Sequence, residues 1–207
     1  MTPDLSGLRI ADYLHTLGSS AATPGGGSAA ALAGALASAL GRMVVSVAQE
    51  KESTPERDSL VAAFRELETH FLSLAVEDER AFAVVMDALR ISKDVASRQE
   101  QVQTALELAA AVPLRAASAS VSALEHLLLA ERHASRSIVS DIGVAAHLAM
   151  ATLRSSLLNI HANLRSLKDA EARDRIEREG NALAAAAETA HDELVHRVAQ
   201  RLSPGPS

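Results

Sequence analysis

Residues 28–48 constrain the fold of this chain most strongly, because alanine is their commonest residue and alanine, glycine and serine together make up most of the segment. Alanine has the highest helix propensity of all residues and is depleted in strands. The larger apolar side chains recur at helical spacing and leave the other side of the helix nearly bare; they are Leu32, Leu36, Leu40, Met43 and Val47. Because helices that meet on thin side chains approach closely, this segment predicts a closely packed all-α fold.

The same segment is about as long as a membrane-spanning helix, and Arg42 is its only charged residue. Alanine, glycine and serine partition weakly into hydrocarbon, and an arginine there is costly, so a buried helix is the better interpretation. Residues 1–10 contain Asp4 and lack a basic region followed by an apolar stretch, which argues against a signal peptide. We expect a cytoplasmic protein that does not bind membranes.

Caps and helix breakers divide the rest of the chain into further helices. Thr54 followed by Pro55 is a strong helix start, and the Pro/Gly-rich residues 203–207 predict a disordered tail. The predicted helices cover residues 10–17, 28–48, 55–89, 95–130, 140–167 and 171–202; Pro113 marks a continuation or a restart, Ser28 caps the second helix and Ser140 or Asp141 caps the fifth. The pattern predicts one domain over residues 1–202, a bundle of about six to seven helices.

Charge and composition exclude several classes of function. The net charge is −6 and aromatic residues make up only 2% of the chain, whereas nucleic-acid binding requires a basic stripe and, for single strands, stacking aromatics. The chain has no cysteine, so it forms neither disulfides nor thiolate metal sites. Two Glu-x-x-His motifs, at residues 188–191 and 193–196, resemble those of di-iron bundles, but both lie on one helix and project in different directions. We therefore predict no metal site.

Asp78 is the most informative single residue. It occupies the apolar stripe of its helix, one turn from Leu74 and Phe82, while Glu77, Glu79 and Arg80 are expected to point elsewhere. A carboxylate on a core face is costly unless it is paired or functional, and burial raises its pKa toward the range useful for acid–base chemistry. Asp78 is therefore either a general acid–base group or a structural aspartate that bonds a neighbouring helix end.

The loop Pro24-Gly25-Gly26-Gly27-Ser28 is a second candidate site. Its glycines let the backbone approach a ligand closely, and the helix that follows presents free N–H groups. The structural alternative is a tight connection between close-packed helices. A polar row on the helix after Ser140, formed by Thr152, Ser156, Asn159 and Asn163, is a third candidate. Two amides one turn apart can bind a flat heterocycle, although such residues more often satisfy backbone groups of neighbouring helices.

Taken together, these segments resemble the formiminotetrahydrofolate cyclodeaminase and methenyltetrahydrofolate cyclohydrolase family. Five segments carry the likeness in the same order along the chain: Leu17-Gly18-Ser19 leading into the glycine loop and the Ala-rich helix, Asp78 to Phe82, Val112-Pro113-Leu114, Ser140-Asp141, and Asn159-Ile160-His161-Ala162-Asn163. The resemblance implies an α-helical homodimer that binds a reduced folate and needs no cofactor beyond this tetrahydrofolate substrate. It also implies that Asp78 is the catalytic aspartate.

The family opens 5,10-methenyl-tetrahydrofolate to 10-formyl-tetrahydrofolate, or forms it from 5-formimino-tetrahydrofolate with release of ammonia. The sequence favours the stand-alone cyclohydrolase slightly, since no formiminotransferase domain is present in this chain. The expected substrate-binding residues are Pro24, Gly25, Gly26, Gly27, Ser28, Phe82, Lys93, Asp141, Asn159 and Asn163, with Lys93 at the glutamate tail. Residues 47–52 and 91–93 depart from the basic segments of the family, so a repurposed, non-catalytic helical module is the alternative.

Overall fold

A computed structural model describes residues 9–203 as six α-helices, and this part of the chain contains no strand. The helices are α1 Ile10–Leu17, α2 Gly26–Lys51, α3 Pro55–Arg90, α4 Arg98–Glu131, α5 Val139–Leu164 and α6 Ala170–Leu202. The all-α prediction is confirmed. The expectations for residues 1–8 and for the end of the tail, 204–207, lie outside the described residues.

Helix α2 packs against α3, α4 and α5, and its small residues form the buried face. A Cβ added to Gly34 would lie 2.5 Å from the ring of Phe71, and one added to Gly41 would lie 2.5 Å from the ring of Phe64. Both rings are fully buried, so the glycines create the space that these phenylalanines of α3 fill. The leucine row is the outer side of α2, where Leu36 is 50% exposed.

By length and composition alone, α2 is able to cross a membrane, the only described helix of which this holds. Half of its most apolar window is nevertheless buried within the bundle. Arg42 also forms an ion pair with Glu68 of α3, whose Oε2 accepts from Nη2 at 3.1 Å. These contacts describe a core helix, in agreement with the sequence-based interpretation.

The predicted helix caps are wrong at two positions. Helix α2 begins at Gly26 with Gly25 as its N-cap, and α5 begins at Val139 with Ile138 as its N-cap. Ser28 therefore lies inside the first turn of α2, and Ser140 and Asp141 lie inside the first turn of α5. The prediction for α3 is confirmed, since the hydroxyl of Thr54 accepts from the backbone N–H of Arg57.

Pro113 does not break α4, which runs continuously from Arg98 to Glu131. A proline has no N–H, so the carbonyl of Ala109, four residues earlier, lacks its intrahelical donor. The side chain of Asn163 on α5 replaces that donor, with Nδ2 3.1 Å from the Ala109 oxygen. One polar residue thus ties α5 to α4 at the point where the backbone of α4 has an unpaired carbonyl.

Candidate functional site

A cavity of about 310 Å³ lies where the start of α2 meets the middle of α3, the middle of α4 and the end of α5. This volume is near the lower end of the range for small-molecule sites, about 300–1,000 Å³. Seven residues singled out from the sequence line it together: Gly25, Gly26, Gly27, Asp78, Phe82, Asn159 and Asn163. They are separated by up to 138 positions in the chain, from 25 to 163, so only the packing of the bundle brings them together.

Asp78 is held in this cavity by the first turn of α2. Its Oδ2 accepts a hydrogen bond from the backbone N–H of Ser28, with the two atoms 3.1 Å apart. That N–H is one of the donors that a helix start leaves without an intrahelical partner, and the helix dipole favours a carboxylate there. The two alternatives for Asp78 are therefore compatible, because its carboxylate bonds a neighbouring helix end and also faces a cavity.

Burial raises the pKa of Asp78 above its usual value, and the hydrogen bond from the Ser28 N–H opposes this rise in part. The carboxyl is only half-buried and lines the cavity, so a molecule bound there is able to reach it. A carboxyl group whose pKa is moved toward neutrality both accepts and returns a proton efficiently.

Glu79 is only 7% exposed, which corrects the expectation that it points away from the core. Burial raises its pKa, as does the neighbouring charge of Asp78, while the Ser28 hydroxyl lowers it. Ser28 is fully buried, and its Oγ lies 3.2 Å from the hydroxyl of Tyr13, a residue of α1 that is 5% exposed. Burial also raises the pKa of Tyr13, and the charges of Glu79 and Asp78 raise it further.

Tyr13, Ser28 and Glu79 form a polar cluster behind Asp78 that the sequence did not predict. Tyr13 is the only tyrosine of the chain and lies near the middle of a short amphipathic helix. A buried tyrosine hydroxyl nearly always finds a hydrogen-bond partner, so its position was a usable signal for a polar contact. No comparable signal was available for Glu79, which lies one position away from the apolar stripe.

Small side chains form most of the remaining wall of the cavity; they belong to Ala22, Thr23, Ala81, Val85, Ala109 and Ala162. None of them was predicted as a site residue. The helical ones are indistinguishable from ordinary packing positions in the sequence, and Ala22 and Thr23 lie in the loop before α2. Phe82 is 41% exposed and presents its ring at the same wall. Thin aliphatic walls with one aromatic ring leave a slot that suits a flat heterocycle.

The two asparagines of the wall differ in how many of their hydrogen-bonding groups are free. Asn163 directs its NH₂ group to the Ala109 carbonyl, so only its side-chain oxygen remains for a ligand. Asn159 makes no side-chain hydrogen bond within residues 9–203, and its Oδ1 lies 3.8 Å from the position of a Cβ on Gly26. Its amide is therefore the free hydrogen-bonding group of this wall. Thr152, from the same row, bonds the Ala30 carbonyl and serves the packing of α5 on α2.

Four of the residues expected to bind substrate do not line the cavity. Ser28 is fully buried behind Asp78, and Pro24 precedes the lining glycines without contributing to the wall. Lys93 is exposed in the loop between α3 and α4. Asp141 lies at the opposite end of α5 from Asn159, about 27 Å along the helix axis at 1.5 Å per residue. The structure thus brings neither Lys93 nor Asp141 to Asp78.

Asp78 is the only charged residue among those lining the cavity. Within residues 9–203, no group of three or more histidine, aspartate or glutamate side chains has the arrangement of a metal site. The cavity therefore offers one carboxylate, backbone and amide hydrogen-bonding groups and apolar walls. Such a set can bind a neutral or cationic planar molecule and transfer protons to and from it.

Comparison with known proteins connects this geometry to one family. The family model for formiminotransferase-cyclodeaminase matches residues 9–182. A methenyltetrahydrofolate cyclohydrolase from Methylorubrum extorquens is 33% identical over 168 residues, which cover 77% of this chain and 81% of that protein. A mouse formimidoyltransferase-cyclodeaminase is 31% identical over 166 residues, which cover 76% of this chain and 30% of the mouse protein.

A solved structure is similar over almost the whole chain. It is the crystal structure of a formiminotetrahydrofolate cyclodeaminase from Thermotoga maritima, which superposes with a TM-score of 0.82 at 26% sequence identity. The superposition covers 95% of this chain and 96% of the Thermotoga chain. The similarity therefore extends over most of the helical bundle.

Proposed function

Since the chain belongs to the formiminotransferase-cyclodeaminase family, we propose that it is a folate one-carbon enzyme that opens 5,10-methenyl-tetrahydrofolate to 10-formyl-tetrahydrofolate. The observation that carries this proposal is Asp78, a half-buried carboxylate with a raised pKa that faces a slot of about 310 Å³. The similarity to the Methylorubrum cyclohydrolase over 81% of its length supports the choice of reaction.

The charge of the cavity suits the proposed substrate. The methenyl bridge between N5 and N10 is an amidinium cation, and Asp78 is the single charge on the cavity wall. In a partly desolvated site, one carboxylate stabilises such a cation more strongly than it does in bulk solvent. The neutral pterin ring would lie against the thin walls and Phe82, with the free amide of Asn159 at its polar edge.

In the proposed reaction, a water molecule adds to the methenyl carbon while Asp78 accepts its proton. This addition gives a tetrahedral carbon that bears a hydroxyl group between N5 and N10. The bond from N5 to this carbon then breaks, N5 is protonated, and the hydroxyl oxygen becomes the formyl oxygen on N10. One proton is released overall, and Asp78 is the group that carries protons at both steps.

Cyclodeaminase activity is the second candidate, and the match to 96% of the Thermotoga cyclodeaminase favours it specifically. In that reaction N10 attacks the formimino carbon of 5-formimino-tetrahydrofolate, and the former imino nitrogen leaves as ammonia after protonation. N10 loses its proton, and the tetrahedral carbon that forms between N5 and N10 bears the departing amino group where the cyclohydrolase intermediate bears a hydroxyl. The same carboxylate would supply the proton to the leaving nitrogen and stabilise the methenyl cation that forms.

The absorbance of the methenyl group in the near ultraviolet tests both reactions. Loss of absorbance from 5,10-methenyl-tetrahydrofolate, faster than the buffer reaction and abolished in Asp78→Asn, would support the cyclohydrolase. Gain of the same absorbance from 5-formimino-tetrahydrofolate, with release of ammonia, would support the cyclodeaminase instead. Failure in both assays by folded protein would overturn the enzyme proposal and favour a repurposed module.

We further propose that the chain forms a homodimer. Large apolar side chains remain on the outer surface of the bundle at the N-terminal end, including Ile10 at 72% exposure, Leu14 at 58% and Leu36 at 50%. Exposed apolar side chains of this size favour burial against another chain. Light scattering of the eluted peak in size-exclusion chromatography would give twice the chain mass of 21.7 kDa; a peak at the monomer mass would contradict the proposal.

A further inference from the structure

A second cavity, of about 270 Å³, follows the first along the same helices. On α3 the lining passes from Val85 in the first cavity to Leu89 in the second, which is one helical turn or about 6 Å. On α4, which runs in the opposite direction, it passes from Ala109 back to Leu106. The two cavities are therefore neighbours along α3 and α4, and we call the two together the groove, which runs from Asp78 toward the loop between α5 and α6.

The charge of the groove changes between its two parts. The first part holds the carboxylate of Asp78, whereas the second is lined by Arg98 and Lys168 and by no acidic residue. No carboxylate within residues 9–203 forms an ion pair with either cation. In a chain with a net charge of −6, two adjacent cations without acidic partners are a distinctive feature.

Arg98 is held rigidly by the end of α3. Its Nε donates to the carbonyl of Ile91 at 2.8 Å, and its Nη2 donates to the carbonyl of Leu89 at 3.1 Å. These bonds cap the last carbonyl groups of α3, where a cation is also favoured by the helix dipole. A guanidinium group has five N–H donors, so three donors remain at a fixed place beside the groove.

Lys168 is positioned through Gln103 of α4. The side-chain oxygen of Gln103 accepts from the backbone N–H of Lys168 at 2.5 Å, and its Nε2 donates to the carbonyl of Ser166 at 3.2 Å. Gln103 thus fixes the backbone of the loop between α5 and α6 against α4. The ammonium group of Lys168 is left on the open side of the groove, facing solvent.

We infer that this second cavity binds the carboxylates of the glutamate tail of the folate, with Arg98 and Lys168 as the recognising residues. The inference rests on the proposed function, because it takes the ligand to be a folate whose methenyl carbon lies at Asp78. Asp78 and Leu89 lie about 16 Å apart along α3, and the para-substituted benzoyl ring, the amide and the glutamate chain of a folate together extend from the one-carbon centre in this direction. The assignment replaces Lys93, which lines neither cavity.

The inference is tested by comparing two substrates that differ only in the tail, 5,10-methenyl-tetrahydrofolate and 5,10-methenyl-tetrahydropteroate, which lacks the glutamate. Lys168→Met keeps the aliphatic stem and removes the charge, and Arg98→Lys keeps the charge at the α3 cap. The matched control is Arg178→Gln, which removes one charge from an exposed site on α6 outside both cavities. The readouts are KM and kcat for each substrate at two salt concentrations.

We expect Lys168→Met and Arg98→Lys to raise KM for the folate about five- to tenfold, as for the loss of a charge-assisted hydrogen bond. KM for the pteroate and kcat for both substrates should stay within twofold of the unaltered protein. Equal effects on both substrates, or no effect on either, would overturn the inference while the proposed function stands. An unaltered protein that turns over neither methenyl substrate, nor the corresponding formimino substrates, would overturn both.

Discussion

The carboxylate of Asp78 occupies the space that any side chain at Gly27 would need. A Cβ on Gly27 would lie 2.6 Å from Oδ2 of Asp78 and closer still to Cγ and Oδ1. Since no real Cβ makes such contacts, the glycine at position 27 and the aspartate at position 78 form one structural unit. The glycine loop therefore does more than approach a ligand, because it admits the carboxylate to the helix start that binds it.

We expect Gly27→Ala to displace Asp78, to abolish activity and to lower the free energy of unfolding by about 1–3 kcal/mol, as overpacking does. Asp78→Ala removes all three atoms that clash. The double variant Gly27→Ala/Asp78→Ala should therefore be more stable than Gly27→Ala alone. Chemical denaturation of the four proteins gives the coupling energy, and strictly additive effects would contradict the steric explanation.

The raised pKa of Asp78 gives stability a defined pH dependence. The folded protein binds the proton of this carboxyl more tightly than the unfolded chain does. The free energy of unfolding therefore falls as pH rises from the ordinary pKa of an aspartate to the raised pKa of Asp78. Asp78→Asn removes the cost of a half-buried charge and should raise Tm at neutral pH, although activity falls about 10²–10⁴-fold. Thermal unfolding of both proteins from about pH 4, the ordinary pKa of an aspartate, upward should show the difference in Tm growing with pH until the raised pKa of Asp78 is passed. A difference that shrinks with pH would refute this account.

Site residues could be predicted from the sequence only where a local pattern indicates a tertiary contact. Asp78 was predicted because it interrupts an apolar stripe, and its environment in the bundle agrees with that signal. Glu79 was predicted to face solvent because no local pattern shows that Ser28 and Tyr13 pack over its side of α3. The family resemblance gives the order of matching segments along the chain but no distances between them. It therefore assigned both Asp141 and Asn159 to the substrate site, although they lie at opposite ends of α5.

Tyr13 provides the polar anchor of α1. Its buried hydroxyl bonds Ser28, and α1 has no close backbone contact with any other described helix. We expect Tyr13→Phe to cost about 0.5–1.5 kcal/mol of stability, as for one hydrogen bond. Backbone amides of α1 should also exchange faster with solvent, while those of α4 and α5 should not change except through global unfolding. Unchanged exchange in α1 would show that apolar packing of the ring alone holds this helix.

Asn163 and Pro113 are coupled through the carbonyl of Ala109, although Asn163 lies on α5 and Pro113 on α4. Proline at position 113 removes the intrahelical donor, and Asn163 supplies its replacement from α5. In Asn163→Ala the Ala109 carbonyl loses this donor, which should cost about 1–3 kcal/mol for an unsatisfied buried group.

Restoring an N–H at position 113 should remove most of this penalty. We expect Asn163→Ala to be considerably less destabilising in a Pro113→Ala background, because the alanine N–H at position 113 bonds the carbonyl of Ala109 within α4. Urea unfolding of the unaltered protein, both single variants and the double variant measures this coupling. Additive free energies would mean that Asn163 acts through other contacts. Strong coupling would mean instead that one amide joins α4 to α5 beside the cavity, and that only its oxygen is available to a ligand.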